Sequence, residues 1–233
     1  MLRYIVVLLG LAFSMIIPFP LFADISSTNV ICIDPGHPSE SGHGTAGRHI
    51  TEIDAAWDVS LLLKQDLIAD GFTVVSTKSS AEEFVTNKQR AETANNAHAA
   101  LMIRLHCDAD AGTGIASYAP DRQGVVNGVH GPSQTVIDES QAALKVFHAA
   151  LIKSLDGLLA DRGMFADTST RIGGKQGALT GSIYSKVPVV LVEMCVLTNP
   201  HDEAIIDSAD GQRKIAAALT AGVKAAVACE SKQ

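Results

Sequence analysis

Val30-Ile31-Cys32-Ile33-Asp34-Pro35-Gly36-His37 is the stretch on which the fold turns. Its four leading apolar residues, with no polar alternation, read as a strand buried on both faces. Pro35-Gly36 then breaks the run and delivers an ionisable His37 to a loop. Residues 52–70 carry helical periodicity, with Thr51 placed to cap the start and Gly71 placed to stop the end. Phe72-Thr73-Val74-Val75 follows as a second strand. Strand, loop, helix and strand in this order make the unit of a parallel sheet.

The same rhythm continues outward. Residues 88–99 are polar and Ala-rich, a helix that feeds the strand Leu101-Met102-Ile103-Arg104-Leu105. Leu144, Phe147, Leu151, Leu155 and Leu158 recur every three or four residues and mark an amphipathic helix. Val187-Pro188-Val189-Val190-Leu191-Val192 is the last clear strand, and its proline must lie at the beginning or on an edge. Ile215, Leu219 and Val223 stripe a final helix. The alternation predicts α/β architecture: a single three-layer domain, its mostly parallel twisted sheet covered by helices on both faces. Residues 108–138, rich in Gly and polar side chains, break the pattern and read as a long loop, either functional or disordered.

At 233 residues and 47% hydrophobic content the chain supports one sizeable core. Its first 23 residues differ in kind. Arg3, an apolar run over 4–17, Pro18, Pro20 and the small Ala23 have the layout of a secretory signal peptide cleaved before Asp24. The run is short for a membrane span, so residues 24–233 are expected as the exported domain, in the periplasm or at the cell wall, with no stable membrane insertion after processing. A net charge of −7, no basic run and 5% aromatic residues argue against nucleic acid or an anionic membrane as partner. Cys32, Cys107, Cys195 and Cys229 allow two disulfides in any of three pairings, or buried thiols, but lack the close spacing of a thiolate zinc site.

Three strands end in an ionisable residue: His37 after the first, His106 after the Leu101 strand and Glu193 after the Val187 strand. In open α/β sheets ligands bind at the carboxyl ends of the strands, so the three can share one crevice. Glu52 opens a helix, where the dipole favours a carboxylate. Two imidazoles and one carboxylate make a hydrolytic zinc site, and the other carboxylate is left to move protons. Each has a plainer explanation. A single strand-end His is commonly a hydrogen-bonded structural residue, and Glu52 alone is a helix-start carboxylate. Glu193 is harder to explain that way, because an unpaired carboxylate after an apolar strand is costly to bury.

At these residues the chain resembles the zinc-dependent N-acetylmuramoyl-L-alanine amidases of the amidase 3 type. The resemblance runs in order through Ile33-Asp34-Pro35-Gly36-His37, Glu52-Ile53-Asp54, Arg90 with Ala94-Asn95, and Ile103-Arg104-Leu105-His106-Cys107-Asp108. It continues in Asp161-Arg162-Gly163 and in Pro188-Val189-Val190-Leu191-Val192-Glu193 with Leu197-Thr198-Asn199. It implies one zinc ion held by His37, Glu52 and His106, and Glu193 as catalytic acid/base. The implied substrate is peptidoglycan, cut between N-acetylmuramic acid and the L-alanine of the stem peptide. Departures are Pro38-Ser39-Glu40 after the first His, Lys78 where Arg is common and Arg104 where a small Ser is common; they bear on substrate preference. His43 and His49 lie between two implied ligands as weaker competitors for metal. The rival readings are a zinc peptidase acting within the stem peptide and a non-catalytic wall-binding protein. With no wall-binding repeat visible, targeting falls to this domain or to a partner protein.

Overall fold

The alternation read from the sequence carries through the chain. The computed structural model describes residues 29–230, except the side chains of Cys229 and Glu230; the expected signal peptide lies outside the described residues. Strand β1 (Val30–Pro35) leads through a loop to helix α1 (Glu52–Ala69), then β2 (Thr73–Ser76), α2 (Asn87–Asn96) and β3 (Leu101–Asp108). Next come β4 (Ile115–Ala119), β5 (Gly124–Val126), β6 (Val129–Gly131), α3 (Gln134–Leu155) and β7 (Asp161–Ala166). Two short helices, α4 (Gly173–Gln176) and α5 (Thr180–Tyr184), precede β8 (Val189–Val196), α6 (Pro200–Ile206) and α7 (Ala209–Glu230).

Six strands form one sheet in the order β2-β1-β3-β8-β4-β7. The first four are mutually parallel, and β4 runs antiparallel to β8 while pairing parallel with β7. Residues 108–138, expected as a loop, therefore contain an interior strand and, in β5–β6, a separate hairpin. Ile115-Ala116-Ser117-Tyr118-Ala119 is short and mostly built of small residues, which hides its strand character, yet all five are buried. The hairpin had a readable signal. Asn127 and Gly128, both at positive φ (50° and 77°), form the two-residue turn for which Asn-Gly is the favoured pair. Pro188 falls just before β8, where its carbonyl accepts from the Met102 N–H, so the interior strand starts after it.

The pleat sorts the strand side chains. Ile31 and Ile33 of β1, Leu101, Ile103 and Leu105 of β3, and Val190 and Val192 of β8 enter the main core. There they meet Ala55, Val59, Leu63 and Leu67 of α1, Phe147 and Leu151 of α3, and Leu219 and Val223 of α7. Cys32, Met102 and Val189 face the other way, toward Ala94 of α2. This gives helices on both faces. It also gives Asp34, Arg104, His106 and Glu193 the face opposite the main core, by the same two-residue alternation. Cys32, Cys107 and Cys195 are buried free thiols, so none of them forms one of the allowed disulfides; the side chain of Cys229 lies outside the described residues.

Candidate metal centre and cleft

Parallel pairing of β1 with β3 sets Asp34 beside Arg104 and Pro35 beside Leu105. The Gly36 N–H then donates to the Leu105 carbonyl at 2.8 Å. Gly36 does not take a left-handed turn. What it supplies is space: a Cβ there would lie 2.5 Å from the His106 ring. The left-handed residue is His37 itself, at φ 50°, a strained conformation of the kind concentrated at functional sites. Its Nδ1 donates to the Gly42 carbonyl at 3.0 Å, leaving Nε2 to face Glu52.

Glu52 is the first residue of α1, behind the Thr51 cap. Its Oε2 accepts from the Thr45 N–H at 2.8 Å, and its Oε1 from the Cys107 N–H at 3.1 Å. The same Oε1 stands 2.9 Å from His106 Nδ1 and 3.4 Å from His37 Nε2. The two rings meet edge to face, centroids 5.0 Å apart. One ligand atom from each of His37, Glu52 and His106 falls within 4.8 Å of the others, and among the described residues this is the group able to hold a metal ion. His43 and His49, exposed on the intervening loop, are not in it.

Burial works to raise the Glu52 pKa, but hydrogen bonds from His106 and His37 outweigh it and hold the carboxyl well below its ordinary range. Burial lowers the pKa of His106, favouring the neutral ring that a metal ligand needs. His37 is shifted upward, the Glu52 contact overcoming its burial. Glu193 sits beside His106 in the β3–β8 register. Burial, reinforced by the charges of Glu52 and Asp108, pushes its carboxyl well above the ordinary value. Among the described residues only two buried side-chain polar atoms lack a hydrogen-bond partner, His106 Nε2 and Glu193 Oε2. Such orphans are rare enough to call for an explanation. Both residues line a cleft of about 300 Å³ together with His37 and Glu52.

Beneath the cleft, Arg90, which sequence reasoning left without a role, and Lys78, which it tied to substrate preference, fix the His37 loop. Arg90 is 1% exposed; it donates to Asp34 at 2.7 Å and to the Pro35, Pro38 and Val85 carbonyls. Buried Lys78 donates to the His37 carbonyl and to the Ala81 carbonyl. Its burial and the nearby Arg90 charge lower its pKa to about 8. Asp34, 0% exposed, takes bonds from Arg90, Arg104 and Thr77. Burial alone would raise its pKa, but the two guanidiniums hold it far below normal. Arg90 lies four residues after the Thr86 cap, on the face of α2 that also buries Asn87, Ala91 and Ala94, so it turns inward.

Residues 31–225 match the Amidase_3 family model, described as N-acetylmuramoyl-L-alanine amidase. The chain belongs to this amidase family. It is 29% identical over 193 residues to N-acetylmuramoyl-L-alanine amidase LytC of Bacillus subtilis, across 82% of this chain and 34% of that protein. To N-acetylmuramoyl-L-alanine amidase CwlM of Mycobacterium tuberculosis it is 27% identical over 201 residues, across 83% of this chain and 44% of that one. The chain thus spans less than half the length of these two curated relatives. Its fold matches that of solved amidase structures. The apo form of Ami1 from Mycobacterium abscessus superposes with a TM-score of 0.70 at 21% identity, over 85% of this chain and 98% of that one. The catalytic domain of CwlV from Bacillus (Paenibacillus) polymyxa gives 0.65 at 24% identity, over 84% and 96%. The mostly parallel α/β domain expected from the sequence is the fold of the amidase family.

Proposed function

We propose that this protein is a zinc-dependent peptidoglycan amidase cleaving the bond between N-acetylmuramic acid and the L-alanine of the stem peptide. The observation that carries the reading is the juxtaposition of two orphaned buried atoms, His106 Nε2 and Glu193 Oε2, beside a His-Glu-His cluster in a cleft. The donor set fits zinc: two imidazoles and one carboxylate leave a fourth position for water. His37, Glu52 and His106 would hold the ion, which when bound supplies Lewis acidity and a water acidic enough to ionise near neutral pH. Family membership supports the same chemistry.

The protein residues divide the remaining work. The Gly42 carbonyl fixes the His37 ring, and the Thr45 and Cys107 N–H groups fix Glu52, so these two donors are each oriented by a second contact. Glu193 keeps one carboxyl oxygen free of any protein donor. It takes the proton of the attacking water and returns it to the leaving nitrogen of alanine as the amide bond breaks. A raised proton affinity suits a group that must both accept and deliver within one turnover. Export belongs to the same reading: cleavage before Asp24 places residues 24–233 at the cell wall or in the periplasm, where the substrate lies. Intact-mass measurement on envelope fractions checks the Asp24 start.

Digestion of purified peptidoglycan tests the activity. Newly freed alanine amines beside intact glycan are expected. New termini inside the stem peptide would instead indicate a peptidase and overturn the proposal.

A further inference from the structure

Arg104 is the residue the proposed reaction leaves unused. It is only 4% exposed, yet it lines the cleft that holds His106 and Glu193. Its Nε donates to Asp34 at 2.8 Å and its Nη2 to Asn87 at 2.6 Å. Nη1 bonds to no protein atom among the described residues, nor is it sealed from solvent as the orphans His106 Nε2 and Glu193 Oε2 are. Gly181 passes over it: a Cβ there would lie 2.5 Å from Nη1, so the backbone leaves the guanidinium room and no side chain caps it. Arg171, exposed and without an ion-pair partner among the described residues, lines the same cleft. Apart from histidines, these two are the only cationic side chains lining it among the described residues; its acids are Glu52 and Glu193, and the Arg104 charge reaches Glu193.

We infer that Arg104, from the floor, and Arg171, from the rim, form a carboxylate-binding subsite for the stem peptide. The inference rests on the amidase reading and names the group that the cleft selects beside the scissile bond. The two-residue repeat of β3 puts Arg104 on the same face as His106, one pleat away, about 6.6 Å along the strand. In an extended substrate the α-carboxylate of the second, γ-linked glutamyl residue lies at most about 7 Å from the scissile nitrogen. The spacings agree. A guanidinium already oriented by Asp34 and Asn87 presents its remaining donors with little ordering cost, which favours a planar carboxylate over a neutral carboxamide. Arg104 departs from the small residue common at this position in the family it resembles, so the subsite belongs to this chain's own specificity.

The test uses two muramoyl peptides that differ in one group: a free α-carboxylate on the second residue, or the corresponding carboxamide. The zinc-loaded protein should cleave the carboxylate form with a kcat/KM about 10- to 100-fold higher, the difference carried mainly by KM. Arg104→Gln should bring that ratio close to one, and Arg171→Gln should reduce it. Because Arg104 also ties Asp34 and Asn87, Arg104→Gln can fail to fold; the substrate pair on the unaltered protein and Arg171→Gln then decide. Equal cleavage of both substrates by the unaltered protein overturns the subsite and leaves the amidase reading standing. If Arg104→Gln slows both substrates alike and keeps the ratio, Arg104 is a tether only and the assignment is overturned. Cleavage of neither substrate overturns the amidase reading and the subsite with it.

Discussion

Glu193 and His106 are neighbours in register and the two orphans of the site, yet the proposed chemistry asks different things of them. Glu193→Gln keeps the volume but cannot accept the water proton. It is expected to retain close to one zinc per chain while turnover falls about 10²–10⁴-fold. His106→Ala removes a donor, so zinc content and activity should fall together. Metal analysis beside activity on the purified variants decides, and zinc loss in Glu193→Gln would make Glu193 the ligand instead. Asp34 carries a separate prediction, on stability. Its native pKa is depressed, so the folded state binds its proton less readily than the unfolded chain. That stabilisation is complete above the ordinary carboxylate range, near pH 4, and is lost as pH falls below it. Asp34→Asn leaves two buried guanidiniums without their anion and should cost about 3–5 kcal/mol at pH 7. It should also flatten the acid limb of the stability curve, although Glu52, shifted in the same direction, keeps part of the slope. Urea unfolding between pH 7 and pH 3 measures both.

At the scale of elements, residues 108–138 change what a truncation should do. Were they a loop, shortening them would adjust turnover. They instead supply β4, which pairs with β8 at Glu193 through Ala116 and carries β7 on its other side. His148 of α3 also reaches Ser117 of β4 and Asp161 of β7, both at 2.9 Å. Removing residues 113–121 should therefore abolish folding, read as loss of the cooperative transition, whereas replacing Asn127-Gly128 by Gly-Gly, with both φ values still accessible, should leave stability within about 1 kcal/mol. The elements missed in the sequence share a physical cause. β4 is five residues long and mostly small, β7 alternates weakly with Arg162, Gly163 and two exposed apolar residues, and α4 and α5 are single turns. Such segments are specified by the partners they pack on, not by their own periodicity. Where burial on both faces made apolar runs continuous, in β1, β3 and β8, strands were legible within a few residues. Two of the proposed site residues, His106 and Glu193, were legible for a related reason: an ionisable group directly after such a run has nowhere else to go. The reason for Gly36 was not, because the His106 ring it accommodates comes from a strand 65 residues or more downstream of it.

Across the whole molecule, the proposed ligands come from three places distant in sequence: the end of β1, the start of α1 and the end of β3. In the unfolded chain these donors are dispersed, so the proposed zinc binding would be coupled to the native arrangement of sheet and helix. At a free zinc concentration 100 times the dissociation constant, linkage adds about 2.7 kcal/mol. For a domain of this size that corresponds to a rise in Tm of roughly 5–10 °C. A chelator should remove the rise, and readdition of zinc should restore it. The variants sharpen the argument because they separate holding the ion from using it. Glu193→Gln should keep the zinc-dependent rise while turnover collapses. His37→Ala and His106→Ala should lose it, whatever their own effect on the metal-free Tm. A zinc-dependent rise of unchanged size in His37→Ala or His106→Ala would place the ion elsewhere in the molecule, and the ligand assignment would have to be abandoned.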